Sequence, residues 1–174
     1  MSAATEAKTK NLWFIRHAES MANAASHAAD KKHNGVHESD LVNTRLTDVG
    51  RQQAAKVQGP VDLLIVSPLR RTLETYVHSR LEVKRLITTD LVREYRAYGR
   101  PWEFELETPG SETVAELMDR VTKTIALLQL QPETNIGILS HGVFLAELAK
   151  RIGRPLKSGM SNAQVVHIPN AVLA

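Results

Sequence analysis

This sequence predicts an α/β domain, a mostly parallel central sheet flanked by helices on both faces in a three-layer α/β/α sandwich. Three observations carry that prediction. Short apolar runs alternate with amphipathic stretches along nearly the whole chain. The runs "NLWFIR", "VDLLIVS" and "TNIGILS" are close to continuously apolar, as strands buried on both faces are. With 174 residues, 43% of them hydrophobic, the chain can bury one good core but not two comfortable ones. Residues 1–10 read as a polar, flexible tail and residues 11–174 as a single domain.

The elements follow in order. "NLWFIR" is the first strand, ending at Arg16. Residues 24 to 45 lack sustained periodicity and carry the breaker pair Asn34-Gly35, so they read as a long loop with one short helix, and a loop of that length in a compact domain is usually functional. "LTDVGRQQAAKVQ" opens with Thr47 as an N-cap and runs as a helix despite Gly50. "VDLLIVS" is a buried strand, and "PLRRTLETYVHSRL" is a helix with Pro68 in its first turn. "KRLITTD" is a third strand, and "LVREYRAYGRPWEFELETPG" an irregular segment punctuated by Gly and Pro. From Ser111, apolar residues at Val114, Leu117, Val121, Ile125 and Leu128 have helical spacing. "TNIGILS" is the fourth strand, "HGVFLAELAKRIG" a helix closed by Gly153, and "AQVVHIP" the last strand.

Composition narrows the function. There is no cysteine, which excludes a disulfide framework, a thiolate metal site and a Cys nucleophile. No apolar run is long enough to span a bilayer and the N-terminus has no apolar core segment, so a soluble, cytoplasmic protein is expected, with no membrane partner. The net charge of +3 comes from scattered residues, and aromatics make up only 5%, so no platform for nucleic acid is evident. His33 and His37 are spaced as a helical metal pair, but Asn34-Gly35 breaks such a helix and no third ligand is obvious; no metal and no cofactor are expected.

Chemistry collects at strand ends. Ile15 leads into Arg16-His17, Val66 into Ser67-Pro68-Leu69-Arg70-Arg71, and Leu139 into Ser140-His141-Gly142. In open parallel sheets the crevice beyond the carboxyl ends of the strands binds ligands. Arginines placed where helices begin oppose the helix dipole, and a bound anion would offset both; phosphate suits helix N-termini and guanidinium forks alike.

On these residues the sequence resembles the histidine phosphatase superfamily, the phosphoglycerate mutase-like family with an Arg-His-Gly motif. "RHAES" with Asn23, "LTDVGRQQA", "SPLRRTLET", "TPGSETVAELMDRV" and "LSHGVFL" match its motifs together and in order. The resemblance implies that His17 accepts the phosphoryl group and that Arg16, Arg71 and His141 complete the phosphate pocket. Arg71 takes that role as the fifth residue of its motif, and Arg70 faces solvent. Asn23 would add a donor near the pocket, with a helix-cap or loop role as the alternative, and Ser67 would fix the loop that presents Arg71. The family takes its general acid from a Glu after the third strand; "VRE" offers Glu94, preferred over Asp90, Glu103, Glu105 and Glu107. Glu112 caps the long helix or props the pocket. Trp102 and Phe104 line the substrate entrance or act as packing anchors.

Three residues that depart from the family pattern bear on substrate fit. Ala18 replaces the usual Gly after the nucleophile, and Thr72 and Tyr76 stand where small residues are common. The resemblance implies a metal-independent phosphomonoesterase of the histidine acid phosphatase type, working through a phosphohistidine on a small phosphorylated metabolite or a phosphoprotein. Two alternatives compete with it. One is a phosphoglycerate mutase, disfavoured because the insertions that cover the mutase site are lacking; the other is an idle phospho-ligand binding module.

Overall fold

The computed structural model describes residues 9–27, 43–95 and 111–173. Its order is β1 (Thr9–Arg16), α1 (Met21–His27), α2 (Asp48–Ala54), β2 (Gln58–Val66), α3 (Arg70–His78), β3 (Arg80–Thr88), a 3-10 turn (Asp90–Val92), α4 (Val114–Leu130), β4 (Asn135–Ser140), α5 (Gly142–Arg151) and β5 (Val165–Val172). The five strands form one sheet in the order β3-β2-β4-β1-β5. β1, β4, β2 and β3 pair in parallel, and β5 closes the β1 edge antiparallel, so the sheet is mixed.

The alternation of apolar and amphipathic segments produces two cores. Leu12, Phe14, Leu63, Ile65, Ile136 and Ile138 meet Leu117, Val121, Ile125 and Leu128 of α4 and Phe144, Leu145 and Leu148 of α5 on one face. On the other, Ile15, Val61, Leu64, Val66 and Leu139 meet Leu73 and Tyr76 of α3. Successive strand residues point to opposite faces, so β1, β4 and the Leu63–Val66 stretch of β2 feed both cores. Val114 does not belong to the helix's buried stripe: it lies in the first turn and is exposed, while the other four periodic positions are buried.

Several boundaries differ from the sequence reading for local reasons. β1 begins at Thr9, taking in the last two residues of the expected tail. Lys10 is buried there, its Nζ donating to Gln131 O and Glu133 O just beyond the C-terminus of α4, where a cation complements the helix dipole. Pro68 lies outside α3, whose N-cap is the extended Leu69. β3 starts at Arg80, four residues early, because this edge strand carries charged residues on an exposed side that hide its apolar pattern. α1 begins at Met21, ahead of the segment read as a loop. α5 is closed as expected by Gly153, just past its C-cap, whose φ of +70° permits a paired closure: Gly153 N donates to Lys150 O and Arg154 N to Ala149 O.

The register positions the site. Arg16 pairs with Ser140 in the β1–β4 ladder, and one residue further His17 N still donates to Ser140 O at 2.9 Å. On the other side of β4, Ser67 N donates to Leu139 O at 3.1 Å. Three neighbouring strands therefore deliver His17, His141 and the Ser67–Arg71 turn to one level at one edge.

Candidate active site

His17 is buried, and its Nδ1 lies 2.7 Å from Ala18 O, a carbonyl that can only accept. Nδ1 is therefore the protonated nitrogen, and the lone pair belongs to Nε2. Arg71 Nε donates to that lone pair at 3.2 Å and equally to His141 Nδ1 at 3.2 Å. Arg71 Nη2 also lies 3.1 Å from His141 Nδ1, while His141 Nε2 meets Ser67 Oγ at 2.9 Å. His141 thus accepts on Nδ1 and donates from Nε2. The two rings sit with centroids 5.1 Å apart, tilted by 57°.

Burial holds His17 well below the usual imidazole range, and the nearby Arg71 and Arg16 cations push it the same way, while the bond to Ala18 O pulls slightly back. His141 is depressed likewise, by burial first and then by Arg71, His17, Arg120 and Arg16. Both histidines are neutral at pH 7. Arg16 passes over Gly142 at the start of α5 and donates from Nη1 to Met160 O at 2.5 Å. Its Nε is buried and has no partner, a donor left ready for an anion.

The loop carrying His17 is braced from several sides. Thr75 Oγ1 accepts from Ala18 N at 2.9 Å and donates to Arg71 O at 2.6 Å, tying the two pocket segments together. Thr47 Oγ1 donates to the Glu19 carboxylate at 2.7 Å and accepts from Gly50 N as the cap of α2, and Gln53 accepts from Glu19 N. A Cβ on Gly50 would stand 2.0 Å from Glu19 O, so only glycine lets α2 approach. The spacing of "LTDVGRQQA" thus serves this brace.

Asn23 and Ser20 exchange hydrogen bonds at the start of α1: Asn23 Oδ1 accepts from Ser20 N and Oγ, and Ser20 Oγ accepts from Asn23 N. Asn162 Nδ2 donates to the same Asn23 Oδ1 and to His17 O, and Ala163 N also donates to His17 O. Asn162 has no motif around it, and no signal in one sequence would have found it. Arg70 lies at the surface, paired with Glu74 at 2.6 Å. The helix-capping role falls to Thr113 with Glu116, and Glu112 instead pairs with the buried Arg120.

Glu94 lies just beyond the 3-10 turn after β3. Its Oε1 accepts from Tyr95 N at 2.8 Å and from Phe144 N, in the first turn of α5, at 3.2 Å. It is close enough to act electrostatically on Arg16. The turn of chain after His141 thus holds the carboxylate on the side of the pocket where Arg16 runs. Asp90 is exposed in the 3-10 turn. Glu103, Glu105, Glu107, Trp102, Phe104, His33 and His37 lie outside the described residues. Among the described residues no group of three or more His, Cys, Asp or Glu is placed to hold a metal ion, and no helix is long and apolar enough to cross a membrane.

Two neutral histidines and two arginines thus meet at one edge of a largely parallel α/β sheet, an arrangement whose buried cations and donors suit an anion. Comparison with known proteins names the family. The family model for the histidine phosphatase superfamily (branch 1) matches residues 12–100, and the chain belongs to that superfamily. A protein of Schizosaccharomyces pombe named as a probable phosphatase is 38% identical over 73 residues, spanning 38% of this chain and 30% of that relative's length. A phosphoglycerate mutase-like protein of Arabidopsis thaliana is 23% identical across 95% of this chain and 83% of its own. The crystal structure of a phosphoglycerate mutase from Thermus thermophilus shares the fold, with a TM-score of 0.61 and 18% identity, over 94% of this chain and 96% of that one.

Proposed function

We propose that the protein is a metal-independent phosphomonoesterase that works through a phosphohistidine on His17. The observation that carries this is the tautomer: with Nδ1–H held by Ala18 O, the Nε2 lone pair faces a pocket of cations. The phosphoryl group of a substrate displaces Arg71 from that lone pair, and the guanidiniums of Arg71 and Arg16, with the second histidine, hold its oxygens. Charge stabilisation of this kind is what phosphoryl transfer chiefly needs, and fixed cations supply it.

In the first step His17 Nε2 forms a bond to phosphorus as the ester P–O bond breaks, and Glu94 gives its proton to the leaving oxygen. Positive charge growing on the ring is shared through Nδ1–H with Ala18 O. In the second step water attacks phosphorus, its proton passes to Glu94, and the N–P bond breaks to release inorganic phosphate. The substrate class is a small phosphorylated metabolite or a phosphoprotein, met in the cytoplasm. Asn23, bonded into the loop that ends on His17, supports the phosphate pocket from behind.

Trapping tests this directly. The protein is mixed with a phosphate monoester, quenched in alkali, which preserves phosphohistidine, and digested. A phosphoryl group is expected on the peptide containing "LWFIRHAES". Turnover with no label on that peptide, or activity abolished by chelators, would overturn the mechanism. Incubation with phosphoglycerate isomers separates the mutase: rapid interconversion with little free phosphate would replace hydrolysis as the activity.

A further inference from the structure

The segment that carries Glu94 belongs to no strand or α-helix, yet its backbone is clamped residue by residue. Four consecutive carbonyls accept side-chain hydrogen bonds. Leu91 O receives Arg120 Nη1 at 3.0 Å and Thr124 Oγ1 at 3.4 Å; Val92 O receives Ser140 Oγ at 2.5 Å. Arg93 O receives Arg120 Nη1 at 2.7 Å, and Glu94 O receives Arg93 Nη1 at 3.2 Å and Arg120 Nη2 at 3.4 Å.

Arg120 dominates this clamp. Its remaining N–H groups make a two-pronged pair with Glu112, Nε to Oε1 at 2.8 Å and Nη2 to Oε2 at 2.7 Å. A guanidinium has five N–H donors. Every one of Arg120's is directed at Glu112 or at the Leu91–Glu94 backbone, so it is not a third phosphate-binding arginine, although it is buried near His141. The Cζ of the same guanidinium lies over the Phe144 ring, 5.0 Å from its centre, and Phe144 N joins Tyr95 N in donating to Glu94 Oε1. Arg120 therefore touches both the backbone that carries the carboxylate and one of the two residues whose amides receive it. Glu112 is in turn shared with Arg93 at 3.3 Å.

We propose that Arg120, oriented by Glu112, is a positioning residue for the general acid, setting where the Glu94 carboxylate stands relative to the leaving oxygen. The inference rests on the assignment of Glu94 above. A misplaced acid hurts only the reactions that need the proton. A leaving oxygen that departs readily as an anion does not, so the signature is dependence on the leaving group.

The test compares Arg120→Lys, Glu112→Gln and Glu94→Gln on an alkyl phosphate and on p-nitrophenyl phosphate, with vanadate binding and circular dichroism on each variant. Arg120→Lys should lose roughly 10- to 100-fold in kcat on the alkyl ester, a part of the range that acid catalysis spans, and less than about 3-fold on the aryl ester. Vanadate affinity should be unchanged, because Arg120 does not reach the anion. Glu112→Gln, which keeps shape and removes only charge, should move the same ratio by a smaller factor. Equal losses on both esters in a folded variant, loss of vanadate binding, or failure of both variants to fold would overturn the positioning role. If Glu94→Gln shifts the leaving-group ratio and the Arg120 and Glu112 variants do not, the acid stands and this inference falls. If Glu94→Gln itself leaves the ratio unchanged, the acid assignment is what fails.

Discussion

The two halves of the site are held by different means. His17, His141 and the Ser67–Arg71 turn are placed by the hydrogen-bond ladder of the sheet, each directly at or just past the end of a buried strand. Glu94 lies beyond an edge strand: the side chains of Arg120, Ser140 and Thr124 hold the backbone of its segment, and the amides of Tyr95 and Phe144 hold its carboxylate. Backbone ladders tolerate changes of side chain, whereas a network of buried charges depends on each member. The half proposed to bind phosphate should therefore survive damage to the half proposed to move the proton.

The largest effect expected is at the proposed nucleophile. His17→Ala should stay folded and lose about 10^4-fold or more in turnover, on aryl and alkyl esters alike, since the proposed phosphoryl acceptor is removed. Near-parental activity on p-nitrophenyl phosphate would remove His17 from the mechanism. Glu94→Gln should cost about 10^2-fold on an alkyl phosphate and far less on an aryl one. Were both esters to suffer alike, the two halves would not be separable in the way their construction suggests.

Gly50→Ala sharpens the contrast from the sheet side. In an open helix that change stabilises, by about 1 kcal/mol. Here the new methyl meets Glu19 O at 2.0 Å, so a loss of roughly 1–3 kcal/mol is expected in chemical denaturation, with weaker vanadate binding as the His17 loop shifts. Unchanged stability would mean that α2 does not brace the nucleophile.

The smallest effect is on pH dependence. Both pocket histidines are held below 6.5 when folded, while the unfolded chain protonates them near that value. Below 6.5 the unfolded state binds more protons, so stability is fully present above that pH and falls as pH drops through it. Each histidine contributes up to about 1.4 kcal/mol per pH unit. Denaturation midpoints at pH 7.5 and 5.5 should draw together in a His17→Asn, His141→Asn double variant. If the gap stays as wide as in the parent, the burial of neutral imidazoles is not its source.

The sequence made the first half legible and the second only in outline. Continuous apolar runs ending in Arg-His, Ser-Pro-Leu-Arg-Arg and Ser-His gave the strands and the residues that follow them. Where an edge strand mixes charge into its pattern, as in "RLEVKRLIT", the start was misplaced, and the antiparallel direction of β5 has no local signature at all. Glu94 could be picked only by its place after the third strand. That Arg120 would turn all its donors toward residues 91–94 and Glu112 depends on tertiary packing across about 30 positions of chain, and Asn162 reaches His17 across 145. Such long-range side-chain bonds leave no periodicity to read.

One consequence of the sheet register concerns distance. His17 and His141 follow adjacent parallel strands whose last paired residues are Arg16 and Ser140, so their backbones are separated by the interstrand step of about 4.8 Å. Peptide geometry acts here as a ruler, and no choice of neighbouring side chain can lengthen or shorten it. Ring tilt and cation placement remain adjustable around that fixed interval, but a single inserted residue in either strand would shift one imidazole along the sheet by about 3.3 Å and turn it to the opposite face. The gap proposed to take a phosphoryl group is thus a property of the polypeptide backbone itself, and a slip in pairing would erase the pocket while leaving every one of its residues in the chain.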